Sequence, residues 1–212
     1  MGYTYTMKRI VLLAVLFFTA GTAFAEMNSD IQGGFCYAYQ QETYQAANSN
    51  YINKTNRIGF EISNFNFTQD YWFGFFENLN LEFCRWGSSR SDGHSYNYNS
   101  DSFCALEFVA GPAFLIKQTG DSAVQIGIGL HGQVQKCEED GYTYTDNTIG
   151  VGIIINEKLF STKRFSCITG VKASFDIKDY KMYTYSGSTY RIKTKDYSMF
   201  EIEPHILFCY NF

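Results

Sequence analysis

From Ser122 to Cys137, apolar and polar residues alternate. Val124, Ile126, Ile128, Leu130 and Val134 fall on one face, and Gln125, Gly127, Gly129, His131, Gln133 and Gln135 on the other. A period of two sustained over this length predicts a strand with unlike faces, long enough to cross a bilayer at a tilt. The preceding stretch repeats the pattern, with Leu106, Phe108, Ala110, Pro112, Phe114 and Ile116 against Ala105, Glu107, Gly111 and Lys117. Lys117 to Ser122 then reads as a tight connection between the two. Applied along the whole chain, the same test places strands near residues 30–41, 56–67, 75–86, 102–117, 122–137, 147–158, 164–178 and 198–212. That makes eight, and closed bacterial barrels of a single chain have even strand numbers.

The connections fall into two classes. Residues 42–55, 87–101, 138–146 and 179–197 are polar and mostly long, whereas 118–121 and 159–163 are short. Cell-surface loops and periplasmic turns alternate in this way. Between the second and third strands, Phe65 to Phe76 is so dense in aromatics that the pattern does not locate the turn. Pro112 and Pro204 sit inside predicted strands, where a missing N–H removes a ladder hydrogen bond, so a bulge or a strand end is expected at each.

The N-terminus sets the compartment. Lys8 and Arg9 precede an apolar run from Ile10 to Phe18, and Ala23-Phe24-Ala25 supplies the small residues of a cleavage site. Residues 1–25 therefore read as a signal peptide starting at Met7, with residues 26–212 as the exported domain and Glu26 as its first residue. The run is shorter than the roughly 20 residues a spanning helix needs, and no long apolar stretch follows it. Cleavage removes two basic residues, taking the formal charge from −4 to roughly −6, and nothing suggests a nucleic-acid partner. The chain has 17 Tyr, 20 Phe, 18 Gly and 2 Pro, which favours sheet over helix and suits a barrel with aromatic girdles. The expected fold is all-β: a closed, antiparallel, up-and-down transmembrane barrel of about eight strands.

At the other end, Ile206, Phe208, Tyr210 and Phe212 are apolar at every second position, with His205, Leu207, Cys209 and Asn211 between them. This resembles the C-terminal signature of outer-membrane β-barrel proteins. The resemblance implies that these four aromatic or aliphatic residues are read by the barrel-assembly machinery, and that the protein sits in outer-membrane lipid. In architecture the exported chain resembles the small barrels of the OmpA transmembrane-domain and OmpX type, and a monomer is expected. OmpW-like barrels, which have an apolar interior and carry small apolar compounds, fit less well, although Ile154, Ile168 and Leu207 also point inward.

The inward faces carry Arg57, Glu61, Glu82, Glu107, Lys117, His131, Lys172, Asp176, Glu201, Glu203 and His205, beside Gln125 and Gln133. Such charges cannot face lipid, where a midplane Lys or Arg costs roughly 2–4 kcal/mol. The bore of an eight-stranded barrel is just wide enough for side chains to fill, so the leading expectation is a polar, plugged lumen with a structural or surface-interaction role. A narrow channel for small solutes, gated through His131 and His205, is the alternative. A lipid A-modifying enzyme would need a serine, a histidine and an acidic orienter, for which Asp92, His94 and Ser95 are the local candidates. They lie in a Ser-rich stretch that reads more simply as a turn, and no catalytic site is expected. A soluble periplasmic barrel binding a small ligand is a fourth reading.

Tyrosines in the polar connections, such as Tyr96, Tyr98, Tyr142 and Tyr144, belong to a girdle or to a surface for an extracellular ligand. The six cysteines, Cys36, Cys84, Cys104, Cys137, Cys167 and Cys209, show no C-x-x-C pairing, and no metal or cofactor is expected. Cys36 and Cys209 share a face on the first and last strands, so a disulfide closing the seam is a candidate, as are two free thiols. Cys84 and Cys104 fall on opposite faces by parity unless a bulge resets the register.

Overall fold

A computed structural model describes residues 27–68, 72–99, 102–117, 122–139, 141–162 and 165–210. The proposed signal peptide and Phe212 lie outside them, as do the side chains of Lys117 and Tyr210. The described chain is made of strands: β1 (Met27–Ala46), β2 (Ser49–Thr68), β3 (Phe73–Ser91), β4 (His94–Asn99), β5 (Ser102–Lys117), β6 (Ala123–Glu139), β7 (Tyr142–Ser161), β8 (Phe165–Tyr185), β9 (Ser188–Ile192) and β10 (Lys195–Tyr210). Eight of them form a ring in the order β10-β1-β2-β3-β5-β6-β7-β8, and β8 pairs with β10 to close it. All pairings are antiparallel, with Gln32 opposite Cys209 and Phe35 opposite Ile206 where the last strand meets the first. Among the described residues each of the eight ring strands is paired on both sides, which is the condition for a sheet to stand in lipid.

The short strands β4 and β9 extend β3 and β8 beyond the ring. They correct the expectation of long surface loops at 42–55, 87–101, 138–146 and 179–197, which are largely continuations of the strands. Ala46 and Ser49 are joined by Ala47 and Asn48, both at positive φ, and Asp92-Gly93 and Ser186-Gly187 make the same two-residue reversal. Turns of this kind match the twist of the strands they join. Both faces of these hairpins are built from polar and tyrosine residues, so their period of two is hidden although the β-propensity of Tyr and Thr is high.

Neither proline produces the expected bulge or strand end. Ala110 opposite Leu130 and Ala113 opposite Gly127 keep one register across Pro112, and Cys36 opposite His205 and Tyr39 opposite Ile202 keep one across Pro204. Each proline leaves a gap in the ladder on one side and is paired on the other, opposite Phe75 and Val171 respectively. Bulges occur elsewhere. Ile58 faces Cys84 and Gly59 faces Glu82, so Phe83 is the extra residue of β3. That bulge turns Cys84 outward, onto the face Cys104 already occupies, correcting the parity that had set them on opposite faces.

Candidate functional site

Alternation divides each strand into a residue that enters the bore and one that faces out. At the end where the short turns lie, the inward set is apolar. Phe65, Phe67 and Phe76 pack with Val109, Ala113 and Ile154, with the rings of Phe65 and Phe76 5.4 Å apart. Gly127 is inward here, and a Cβ on it would sit 2.6 Å from the Phe76 ring, so the missing side chain makes room for the aromatic floor. Ile168 and Leu207 cluster with Cys209 beside it.

Above this floor the bore is polar. Gln32 on β1 donates to Gln125 on β6, diametrically opposite in the ring, at 2.6 Å, and Asn156 on β7 donates to Gln32 at 2.8 Å. His205 contacts Asn156 Oδ1 at 2.8 Å and Glu61 at 3.2 Å, and Ser63 and Asn78 donate to the same glutamate at 2.8 and 2.5 Å. Lys172 on β8 crosses the bore to Glu107 on β5 at 2.6 Å and reaches Glu203 at 3.0 Å. His131 lies between Asp176 at 2.6 Å and Glu107 at 3.0 Å. Arg57 pairs with Glu82 at 3.1 Å and with Glu201. These side chains have essentially no solvent exposure. The structure thus brings together Arg57, Glu61, Glu82, Glu107, His131, Lys172, Asp176, Glu201, Glu203 and His205 in one buried tier, as three bonded clusters around Arg57, around Lys172 with His131, and around His205.

A further tier closes the hairpin end. Lys181 bonds both Glu42 and Asp146, with the rings of Tyr44 and Tyr197 5.1 and 5.7 Å from its Nζ. Arg85 stacks over Tyr98 at 4.5 Å and donates to the Cys137 sulfur at 3.0 Å. Sequence reasoning missed these residues because they were read as loop, or, for Arg85, because the bulge at Phe83 reverses the parity of everything after it.

The outer face is the complement. Phe35, Phe60, Ile62, Leu81, Leu130 and Val151 are all between 47% and 65% exposed, and none has a partner layer to pack on. Trp72, Phe73 and Phe114 stack at the turn end, and Tyr37 and Trp86 meet toward the hairpins. An apolar band between two aromatic rims is the surface a lipid bilayer selects. Glu77 lies on the outward parity but is buried. Ile206 and Phe208 of the terminal signature are in the band, 55% and 52% exposed.

Two candidates from the sequence are not brought together. His94 and Ser95 are successive residues of β4, whose side chains point to opposite sides of the hairpin, with Asp92 in its turn. Cys36 lies opposite His205, and Cys209 lies opposite Gln32. Four residues of strand, roughly 13 Å, thus separate the two positions, beyond the roughly 7 Å a disulfide spans. Neither forms a disulfide, and both thiols are buried. The shared face was legible, but the register was not.

No protein-family model matches the chain, and no curated protein matches it in sequence. Among solved structures it is similar to the outer membrane protein OprG from Pseudomonas aeruginosa, with a TM-score of 0.58 and 10% identity over 87% of this chain and 95% of that one. It is also similar to Neisserial surface protein A, with a TM-score of 0.48 and 12% identity over 87% and 97%. The fold is that of the small outer-membrane β-barrel proteins.

Proposed function

We propose that this chain is an integral outer-membrane barrel whose lumen is a plug, serving as a rigid scaffold that presents extended hairpins beyond the membrane. The observation that carries this is the filling of the bore. An apolar floor, a charged middle tier and the Lys181 tier follow one another, with bonds such as Gln32 to Gln125 and Lys172 to Glu107 running across the axis. An eight-stranded barrel has no width to spare once such side chains meet.

The hairpins supply the surface-interaction side of the reading. Tyr142 stacks on Tyr185 at 4.5 Å, and Tyr183 stacks on Tyr190 at 5.1 Å, making rigid amphipathic contact surfaces outside the band. The separated His94 and Ser95 side chains support a role without catalysis. Purified protein reconstituted in planar lipid bilayers is expected to give no steady conductance steps. Stable, ion-selective openings of the wild-type barrel would overturn the plug in favour of a narrow channel.

A further inference from the structure

The middle tier of the lumen holds more negative charge than its cations answer. Six buried carboxylates, Glu61, Glu82, Glu107, Asp176, Glu201 and Glu203, share it with Arg57 and Lys172. Even if both His131 and His205 are counted as cations, four positive charges meet six negative ones, a surplus of two. The surplus has a location. Glu82 Oε1, Glu107 Oε2, Glu201 Oε1 and Glu203 Oε2 have neither a hydrogen bond nor an ion pair among the described residues, and all four side chains are fully shielded from solvent. A carboxylate oxygen withdrawn from water without a partner is strongly unfavourable, and buried charges are as a rule paired or bound to metal.

We propose that Glu82, Glu107 and Glu203 hold one divalent cation of the calcium class in the middle of the lumen. One carboxylate oxygen from each of the three lies within 4.8 Å of those of the other two. Calcium takes oxygen ligands at about 2.3–2.6 Å, so oxygens on opposite sides of it stand about 4.6–5.2 Å apart and this set can share one ion, whereas magnesium gives up its waters reluctantly and suits a solvent-shielded site less well. An all-oxygen donor set selects hard ions over zinc or copper. Lys172 contacts one oxygen of Glu107 and of Glu203, at 2.6 and 3.0 Å, and Arg57 one oxygen of Glu82, so each carboxylate keeps a second oxygen with no partner among the described residues. The charge of one such ion equals the surplus.

Two neighbouring groups of potential ligands do not serve as well. In the set of Glu107, His131 and Glu201, both imidazole nitrogens already face carboxylates, Asp176 and Glu107, so His131 has no free lone pair to offer. In the set of Cys36, Glu61 and Glu203, the two oxygens of Glu61 are engaged by Ser63, Asn78 and His205. Bound by Glu82 on β3, Glu107 on β5 and Glu203 on β10, the ion would tie strands that are not all neighbours in the ring.

The test uses the folded, heat-modifiable barrel in detergent, refolded with millimolar calcium chloride and freed of unbound ion by gel filtration. Elemental mass spectrometry is expected to find one calcium per chain, and the unfolding temperature is expected to fall when EDTA is added before heating. Glu82→Gln and Glu203→Gln should each lower the retained calcium several-fold in barrels that remain heat-modifiable. Glu138→Gln, an exposed acid outside the lumen, should leave it unchanged. A folded wild-type barrel that retains no calcium overturns the assignment and leaves the surplus to protons, as do glutamine variants that retain calcium like the wild type. If a variant does not fold, the calcium content and EDTA response of the wild type decide alone. Metal content and bilayer conductance are separate readouts, so this site and the plug stand or fall independently.

Discussion

Arg57 shows what a single residue does in this lumen. Its guanidinium is fully shielded and answers two carboxylates, Glu82 on the next strand and Glu201 two positions round the ring. Replacing it by alanine leaves both acids buried with one cation fewer, and breaking a buried pair in this way costs about 3–5 kcal/mol. Lys136 makes the contrasting pair with Glu138, at 3.0 Å between side chains about half exposed, where Lys136→Ala should cost at most about 1 kcal/mol. Urea unfolding of the two variants in lipid vesicles, followed by tryptophan fluorescence, measures the difference. Equal losses would mean that the lumen is hydrated enough to screen Arg57. At this scale most of the site was legible in the sequence. Arg57, Glu107 and Lys172 were marked as inward because a charge at an alternate position of an otherwise apolar strand has nowhere else to go. Their partners were not legible, because Lys172 to Glu107 is a contact across the ring that depends on how many strands close it and with what stagger.

At the scale of the strand, the informative failures are the hairpins. The turn at Ala47 and Asn48 has φ of 50° and 72°, which asparagine adopts readily and alanine only at a cost of roughly 1–2 kcal/mol. Relieving that strain with Ala47→Gly is expected to stabilise the β1–β2 hairpin, by roughly 1 kcal/mol after allowing for the entropy glycine adds to the unfolded chain. Hydrogen exchange at the amides of the outer hairpin, from Thr43 to Ile52, should slow in the variant while the band residues keep their rates. The Asp92-Gly93 reversal carries a sequence signal strong enough to have marked its hairpin in advance, since Asp-Gly favours the same turn. It was obscured by the run of serines and polar tyrosines around it, in which no apolar face exists to reveal the period. The bulge at Phe83 was invisible for a related reason: Phe83 and Cys84 are both tolerated outside, so composition does not register that one residue has been inserted.

For the whole molecule, the arrangement of charge inside and hydrocarbon outside is the inverse of a water-soluble domain, and it makes the surrounding medium part of the fold. A soluble β-barrel with Phe35, Leu130 and Val151 more than half exposed on one continuous band would aggregate, whereas a bilayer takes that band as its partner. The medium therefore discriminates between substitutions that are equally exposed. Leu130 is 65% exposed near the middle of β6, and Tyr96 is 56% exposed on the β4 extension beyond the ring. Leu130→Arg places a guanidinium at mid-band and should cost roughly 2–4 kcal/mol in lipid vesicles, while Tyr96→Arg, in the aqueous zone, should cost well under about 1 kcal/mol. The same pair of variants compared in vesicles and in short-chain detergent separates a lipid effect from a packing effect. A cost for Leu130→Arg that is large in vesicles and much reduced in detergent places the band in hydrocarbon. Equal, small costs for both variants in both media would mean that the band faces water, and the charged lumen would then have to be explained as the core of a soluble protein.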